Sequence, residues 1–332
     1  MKKLIATITI LFIFLVTSFF VESKNEATNN SSNKPVVGIL QTVSHPSLDE
    51  IHRGIVAGLK EDGYINHKNI TIDFENAQGD QSNLKSMSDR FIQKNAKVTI
   101  GIATPAAQAL ANEPGKTPVI MGAISDPVGS GLVHSLQHPG GKITGVKDMQ
   151  PIKQQLDLIK TFLPHIKNIG VIYTSSDDSS TSEFKTFKEF AQAQGINVHP
   201  YTITSTNDIQ QVAQTMAGKV EAVYVPTDNT VASGFSSLIK VTNQAHLPVF
   251  PAVDAMVKSG GVAATYVSQF DMGKATGKIA AQVLKGKNPS EIPVEVIHNY
   301  STIVNEEAAK KLHLQIPTTV IKQAHEKGSI IK

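Results

Sequence analysis

Hydroxyl, amide and carboxylate side chains follow several short apolar runs of this sequence. Together they can hold a small polar molecule by hydrogen bonds and by charge, without covalent chemistry. We expect the ligand to be contacted by the following residues: Thr42, Ser44, His45, Thr104, Pro105, Ala106, Ser125, Asp126, Pro127, Thr227, Asp228, Asn229, Thr230, Asp254 and Tyr266.

The segment Thr104-Pro105-Ala106 is typical of the start of a helix. A hydroxyl residue before a proline can cap the helix, and proline is tolerated at the first helical position, where a missing N–H costs nothing. We therefore predict Thr104 as the N-cap and Pro105 as the first helical residue. The free N–H groups of such a helix start bind an anion, here the carboxylate of a ligand.

Three acidic residues, Asp126, Asp228 and Asp254, each come directly after a predicted strand. Any of them can accept a ligand ammonium through short, charge-assisted hydrogen bonds. For each one the alternative interpretation is a helix cap or a turn. An amino acid, which carries both charges, would match the helix start and the acidic side chains together.

Composition argues against several other classes of function. The 332 residues contain no Cys, and the formal charge of +3 predicts no nucleic-acid partner. None of the loops above contains three metal ligands, a Ser-His-Asp set or a Gly-x-Ser-x-Gly motif. We expect no enzyme, no cofactor and no metal site.

Strand and helix patterns alternate along the chain, which predicts an α/β fold with parallel sheets. Buried strands are indicated at residues 36–40, 70–74, 98–103 and 118–123, with amphipathic helices at residues 47–60 and 83–95. In open sheets of this kind ligands bind at the carboxyl ends of the strands, which is where the candidate loops lie.

The same order of elements then returns later in the chain. Gly38 and Gly170 are 132 positions apart, and so are Gly63 and Gly195, which each close a helix. All doubly wound sheets share such a pattern, but equal offsets favour a duplication or two lobes of one architecture. Two lobes that face each other would form a cleft lined by both sets of loops.

The N-terminal segment has the pattern of a targeting sequence. Lys2 and Lys3 precede an apolar run at residues 4–21. We predict that residues 1–23 are a signal peptide or an N-terminal membrane anchor, and that the polar residues 24–34 are a flexible tether. Either alternative places the folded body outside the cytoplasm, secreted or held at the membrane.

Four sequence strings resemble the substrate-binding proteins of ABC transporters, of the tryptophan or aromatic amino-acid type. They are Gln41 to Asp49, Ala103 to Gln108, Ser125 to Val128 and Pro226 to Thr230, and the resemblance runs from about residue 35 to the C-terminus. It implies a type I periplasmic-binding-protein fold, in which two doubly wound parallel-sheet lobes are joined by a hinge. The implied lobes are residues 35–148 with 267–296, and residues 149–266 with 297–332.

The resemblance also implies a function. A monomer would close around an amino acid, with an aromatic one such as tryptophan as the narrower expectation. It would dock on the permease and ATPase subunits of an importer. Many relatives are lipoproteins anchored through a Cys, which this sequence lacks. An extracytoplasmic sensor domain, a binder of a nucleoside or sugar, and an enzyme with its active site in the cleft remain alternatives.

Overall fold

The computed structural model describes residues 34–332, in which thirteen strands form three sheets. The strands are β1 Val36–Gln41, β2 Thr71–Asn76, β3 Val98–Ile102, β4 Val119–Ile124, β5 Ile143–Lys147, β6 Asn168–Thr174, β7 Asn197–Ile203, β8 Ala222–Val225, β9 Val249–Pro251, β10 Ala263–Val267, β11 Glu295–Val296, β12 Tyr300–Asn305 and β13 Gly328–Ile331.

Helices connect most of these strands. They are α1 Pro46–Glu61, α2 Gln81–Gln93, α3 Thr104–Ala111, α4 Ile152–Phe162, α5 Asp178–Gln192, α6 Ile209–Met216, α7 Asn229–Ser233, α8 Phe235–Gln244, α9 Asp254–Lys258, α10 Gln269–Leu284, α11 Glu306–Lys311 and α12 Thr318–Glu326, with single 3₁₀ turns at Thr206–Asp208 and Pro289–Glu291.

The first sheet is parallel throughout and has the strand order β11-β5-β4-β3-β1-β2. Its central strands β1, β3 and β4 are buried almost along their whole length and consist largely of Val and Ile. Such residues fit a sheet that is covered by helices on both faces. We refer to this sheet and its covering helices as the first lobe.

The second sheet repeats the plan of the first. Its order is β7-β6-β8-β9, again parallel, and it matches the order β2-β1-β3-β4 of the first sheet read from the edge strand inward. Gly38 and Gly170, the glycines with equal offset, lie at corresponding positions in β1 and β6. The repeat predicted from spacing is therefore present in the topology. This sheet and its helices form the second lobe.

A small third sheet was not predicted. It has the order β10-β12-β13, and β10 runs antiparallel to β12. The chain leaves the second lobe along β10 and returns to it along β12, so these two strands must run in opposite directions. The fold class, with two parallel-sheet lobes, is otherwise as predicted.

Three segments of the chain connect the lobes. They lie between β5 and α4, between β10 and α10, and between β11 and β12. Three connections favour a hinge that allows rotation about one axis. The residue ranges given above for the two lobes stay a prediction.

Helix α10 packs on α1 of the first lobe, as the resemblance implies. Glycines on both helices allow the backbones to touch: a Cβ on Gly54 would lie 2.1 Å from the carbonyl oxygen of Phe270, and one on Gly273 would lie 2.1 Å from that of Ile51. No larger residue fits at either position. Helix α10 follows most of the second lobe in sequence, and this contact attaches it to the first lobe.

The predicted leader, residues 1–23, and nearly all of the predicted tether, residues 24–34, lie outside the described residues. From residue 34 onward, no helix has the length and apolar character needed to cross a bilayer.

Candidate ligand-binding site

Three adjoining cavities lie between the lobes, where the carboxyl ends of the strands face each other. The mouth cavity, between residues 42–43, 78–81 and 204–206, has a volume of about 580 Å³. The hinge cavity, between residues 147–154 and helix α5, has about 420 Å³. The deep cavity between them has about 30 Å³, which is room for one small head group.

Eight of the fifteen predicted ligand contacts line at least one cavity. They are Thr42, Thr104, Pro105, Ser125, Asp126, Thr227, Asn229 and Thr230. The other seven do not line any of the three cavities: Ser44, His45, Ala106, Pro127, Asp228, Asp254 and Tyr266. The structure therefore brings together the loops that follow β1, β3, β4 and β8, as predicted, but not all of their residues.

The capping role predicted for Thr104 is wrong. Helix α3 begins at Thr104 itself, Pro105 is its second residue, and Ala103 occupies the cap position with φ 69° and ψ 160°. Such a turn removes the Thr104 side chain from the capping position. The hydroxyl of Thr42 takes that role from the neighbouring strand, because its Oγ1 accepts a hydrogen bond from the Ala106 N–H at 3.2 Å.

The structure assigns Asp228 a capping role. Its carboxylate accepts hydrogen bonds from the Val231 N–H at 2.9 Å, from the Thr174 N–H at 2.6 Å and from the Thr174 hydroxyl at 2.9 Å. The side chain is 1% exposed, and it joins α7 to the end of β6. The alternative interpretation, a helix cap, thus describes this residue.

Asp254 and Tyr266 lie away from the cavities. Asp254 Oδ2 accepts from the Lys258 ammonium at 2.5 Å in the next turn of α9. Tyr266 pairs with Ser301 in the third sheet, where burial near Asp254 raises the pKa of its phenol to about 12. Asp126 lines both larger cavities, and its Oδ1 accepts from the Gly129 N–H at 2.9 Å.

Two carboxylates that sequence reasoning did not assign line the deep cavity. Asp148 follows β5, and Asp177 is the N-cap of α5, where it accepts from the Ser180 N–H at 2.9 Å. Burial raises the pKa of Asp148 to about 6 and that of Asp177 also to about 6. Neither makes an ion pair with any residue of the described part of the chain. The nearby charge of Lys147 offsets only part of the effect of burial on Asp148.

A third buried acid, Glu183, lines the hinge cavity. It accepts a hydrogen bond from the Tyr224 hydroxyl and another from the Thr227 N–H at 3.1 Å. Burial, reinforced by the nearby charge of Asp148, raises its pKa to about 7.

These acids differ in how well the sequence indicated them. Asp177 lies shortly after β6 and Asp148 directly after β5, so both follow strands as the other candidates do. Glu183 gave no signal, because it lies inside a helix.

One polar group that lines the deep cavity, the Gln269 side-chain Nε2, has no partner among the described residues. Gln269 is 3% exposed, so solvent cannot satisfy its amide. A buried, unpaired donor costs free energy unless something else fills the cavity, which points to a bound ligand at this position.

Contacts across the cleft join the two lobes directly. His45 Nε2 lies 3.0 Å from Asn229 Oδ1, and the Thr104 hydroxyl lies 3.4 Å from that of Ser179. The lobes are thus in a closed arrangement.

Comparison with known proteins identifies the family of this chain. The family model described as ABC transporter substrate binding protein matches residues 36–327. The chain belongs to this family.

Relatives in the family are similar to this chain over most of its length. A tyrosine-binding protein of Clostridioides difficile is 35% identical over 293 residues, which is 88% of this chain and 85% of the relative. The crystal structure of an ABC domain in complex with L-Trp from Streptococcus pneumonia is 43% identical with a TM-score of 0.86, and covers 90% of this chain and 100% of that one.

A ligand-free, open structure of a substrate binding protein with adhesive properties from Clostridium difficile is less similar. It is 34% identical with a TM-score of 0.70, and it covers 90% of this chain and 99% of that one. The family assignment and the predicted lobe architecture thus agree.

Proposed function

We propose that this substrate-binding protein binds an amino acid, and that the ligand ammonium occupies the deep cavity between Asp148 and Asp177. The observation that carries the proposal is that these two carboxylates line one small cavity and that neither is ion-paired among the described residues, although Lys147 acts on Asp148 from nearby. Desolvation penalises an unpaired buried carboxylate, and an ammonium at hydrogen-bond distance offsets that penalty. The cavity volume of about 30 Å³ suits this head group but not a whole amino acid.

The ligand carboxylate has its own donors beside the same cavity. Gln269 Nε2 is unpaired there, and the first turn of α3 begins at Thr104. These groups are neutral donors, so they would hold the carboxylate by hydrogen bonds and by the helix dipole rather than by an ion pair.

The side chain of the ligand would then extend into the hinge cavity. Met149, Phe190 and Tyr300 line it, while the mouth cavity is lined mainly by Ser, Thr, Gln and Asp. Met149 is 42% exposed and Phe190 38% exposed, which is unusual for large apolar residues. An aromatic ring would cover both, in accord with the tyrosine and tryptophan named for the two relatives.

Binding would stabilise the closed arrangement, because the ligand contacts both lobes at once. Rotation of the lobes would also account for the lower TM-score against the open, ligand-free relative, 0.70 compared with 0.86 for the complex with L-Trp. The closed monomer would deliver its ligand to the permease and ATPase of an importer. It would act outside the cytoplasm, secreted or held at the membrane by its N-terminal segment.

Isothermal titration calorimetry with the twenty amino acids and with nucleosides tests this function. We expect an aromatic amino acid to bind, and Asp148→Asn to weaken it by about 2 kcal/mol or more, roughly 30-fold in Kd. Asp62→Asn is the matched control, because Asp62 pairs with Lys285 at 2.8 Å on the first lobe and neither residue lines a cleft cavity. Binding of a nucleoside and of no amino acid would contradict the proposal, as would equal affinity in both variants.

A further inference from the structure

We propose that this cleft selects its ligand by the ammonium group more than by the carboxylate, and that it therefore also binds arylalkylamines. These amines keep the ammonium and the aromatic ring of the amino acid but lack its carboxylate. The inference rests on the proposed function, because it uses the same cavities and the same orientation of the ligand.

The charges around the cleft are strongly unequal. Among the described residues, five carboxylates and two lysines line the three cavities. The carboxylates are those of Asp126, Asp148, Asp177, Asp178 and Glu183, and the lysines are Lys147 and Lys153. Both lysines belong to the hinge cavity, and among the described residues no Lys, Arg or His lines the deep or the mouth cavity. The whole chain, by contrast, has a formal charge of +3, so the negative cleft is a local feature.

Histidine does not correct this imbalance. His45 is the imidazole in contact with a cleft residue, through Asn229. Burial lowers its pKa, so the ring is neutral at physiological pH and supplies no cation to a ligand carboxylate.

Part of the helix start that could hold a carboxylate is already in use. The Ala106 N–H of α3 donates to Thr42, and Pro105 has no N–H to offer. The donors that line the deep cavity are neutral, and Gln269 Nε2 is one that has no partner among the described residues. Hydrogen bonds from neutral donors are weaker than charge-assisted ones.

The two ends of the ligand therefore contribute unequally. Loss of the ammonium leaves two buried carboxylates without an ion-pair partner and brings a ligand carboxylate close to several acids. Loss of the carboxylate removes hydrogen bonds to neutral donors and also removes repulsion from those acids. An amine should keep most of the affinity, and the matching carboxylic acid should lose nearly all of it.

Calorimetry at pH 8 with two matched series tests the inference: L-Trp, tryptamine and indole-3-propionate, and L-Tyr, tyramine and 3-(4-hydroxyphenyl)propionate. We expect each amine to bind within about tenfold of its amino acid, and each acid at least about 100-fold more weakly. Asp148→Asn should weaken the amine and the amino acid alike, and Asp62→Asn neither.

The outcomes separate the two proposals. If an amino acid binds but its amine does not, or if the acid binds better than the amine, selection by the ammonium is wrong and the proposed function stands. If neither L-Trp nor L-Tyr binds, the proposed function fails and this inference with it.

Discussion

His45 of the first lobe and Asn229 of the second are in direct contact, although they are 184 positions apart: His45 Nε2 lies 3.0 Å from Asn229 Oδ1. Asn229 is held in place by the cap of its own helix, since Asp228 joins α7 to β6. The bond can exist only while the lobes are closed, so its free energy stabilises the closed state alone.

Removal of this contact should therefore weaken ligand binding without unfolding either lobe. We expect His45→Ala and Asn229→Ala each to reduce affinity for an aromatic amino acid by about 1 kcal/mol, and the double variant to be less than additive. The control is His199→Ala, because His199 pairs with Asn168 at 3.1 Å within the second lobe. Calorimetric affinities equal to wild type in both single variants would mean that the contact does not contribute to closure.

Ala103 has a backbone conformation that is nearly exclusive to glycine. Its φ of 69° and ψ of 160° place about 1–3 kcal/mol of strain at the turn from β3 into α3, beside the deep cavity. We expect Ala103→Gly to raise the free energy of unfolding by about 1 kcal/mol, after the entropy of the added glycine is subtracted.

The same substitution should weaken ligand binding, because a glycine turn orders the start of α3 less well. The expected result is a higher free energy of unfolding in chemical denaturation and a lower ligand affinity in calorimetry. Ala109→Gly, within the same helix, should lower stability as glycine ordinarily does. If Ala103→Gly also lowers the free energy of unfolding, the backbone at residue 103 is not strained as proposed.

Asp228 should affect stability rather than ligand chemistry. It is buried and satisfies three donors, and it lines none of the cleft cavities. We expect Asp228→Ala to lower the free energy of unfolding by about 2–3 kcal/mol, because the Thr174 and Val231 donors are left unpaired. Thermal denaturation measures this, with Asp126→Ala as the comparison; a fully stable Asp228→Ala that fails to bind ligand would restore the role predicted for it from sequence.

The hinge cavity should determine selectivity for the ligand side chain. We expect Phe190→Ala and Met149→Ala to weaken binding of L-Trp by about 1 kcal/mol each, since both lose apolar contact with the ring. Phe74→Ala is the control, because Phe74 is similarly exposed, at 40%, but stacks on His52 at the first lobe surface. If all three variants bind L-Trp equally well, the ring lies in another cavity.

Stability without ligand should depend on pH through the buried acids. The pKa of Asp148 and of Asp177 rises from 3.8 to about 6, and that of Glu183 from 4.5 to about 7. The folded state then binds more protons than the unfolded state between about pH 4 and pH 7, so the free energy of unfolding falls as the pH rises through this range. His45 has the opposite sign, because its pKa is lowered and its protonation below pH 6.5 opposes folding.

The ligand should reverse part of this dependence. An ammonium in the deep cavity favours the charged carboxylates, so affinity should increase from pH 5 to pH 8 as protons leave. Calorimetry in two buffers of different ionisation enthalpy at pH 6 should register release of protons on binding. Affinity that is constant from pH 5 to pH 8 in the wild type, and also in Asp148→Asn, would exclude the acids from the site.

Much of the fold could be predicted from sequence because it depends on local patterns. Apolar runs predicted the ends of β1, β3 and β4 to within one residue. Equal glycine offsets predicted the repeated strand order. The third sheet was missed because it depends on how the chain passes between the lobes, which no local pattern records.

The site was only partly predictable, for a related reason. Sequence position indicates that a residue follows a strand, but not whether its donors and acceptors are already used. Asp228 and Asp148 both follow strands. Three donors occupy the carboxylate of Asp228, whereas among the described residues only the Gln150 amide, at 2.7 Å, donates to that of Asp148. Asp148 could be assigned only once the partners of each carboxylate were known.

A crystal structure of the protein with L-Trp or L-Tyr tests the central claim most directly. We predict closed lobes, with the α-ammonium nitrogen of the ligand at about 2.7–3.0 Å from a carboxylate oxygen of Asp148 or Asp177. We also predict that the Gln269 side chain faces the ligand carboxylate. A ligand bound outside the three cavities, or one whose carboxylate faces the two acids, would contradict it.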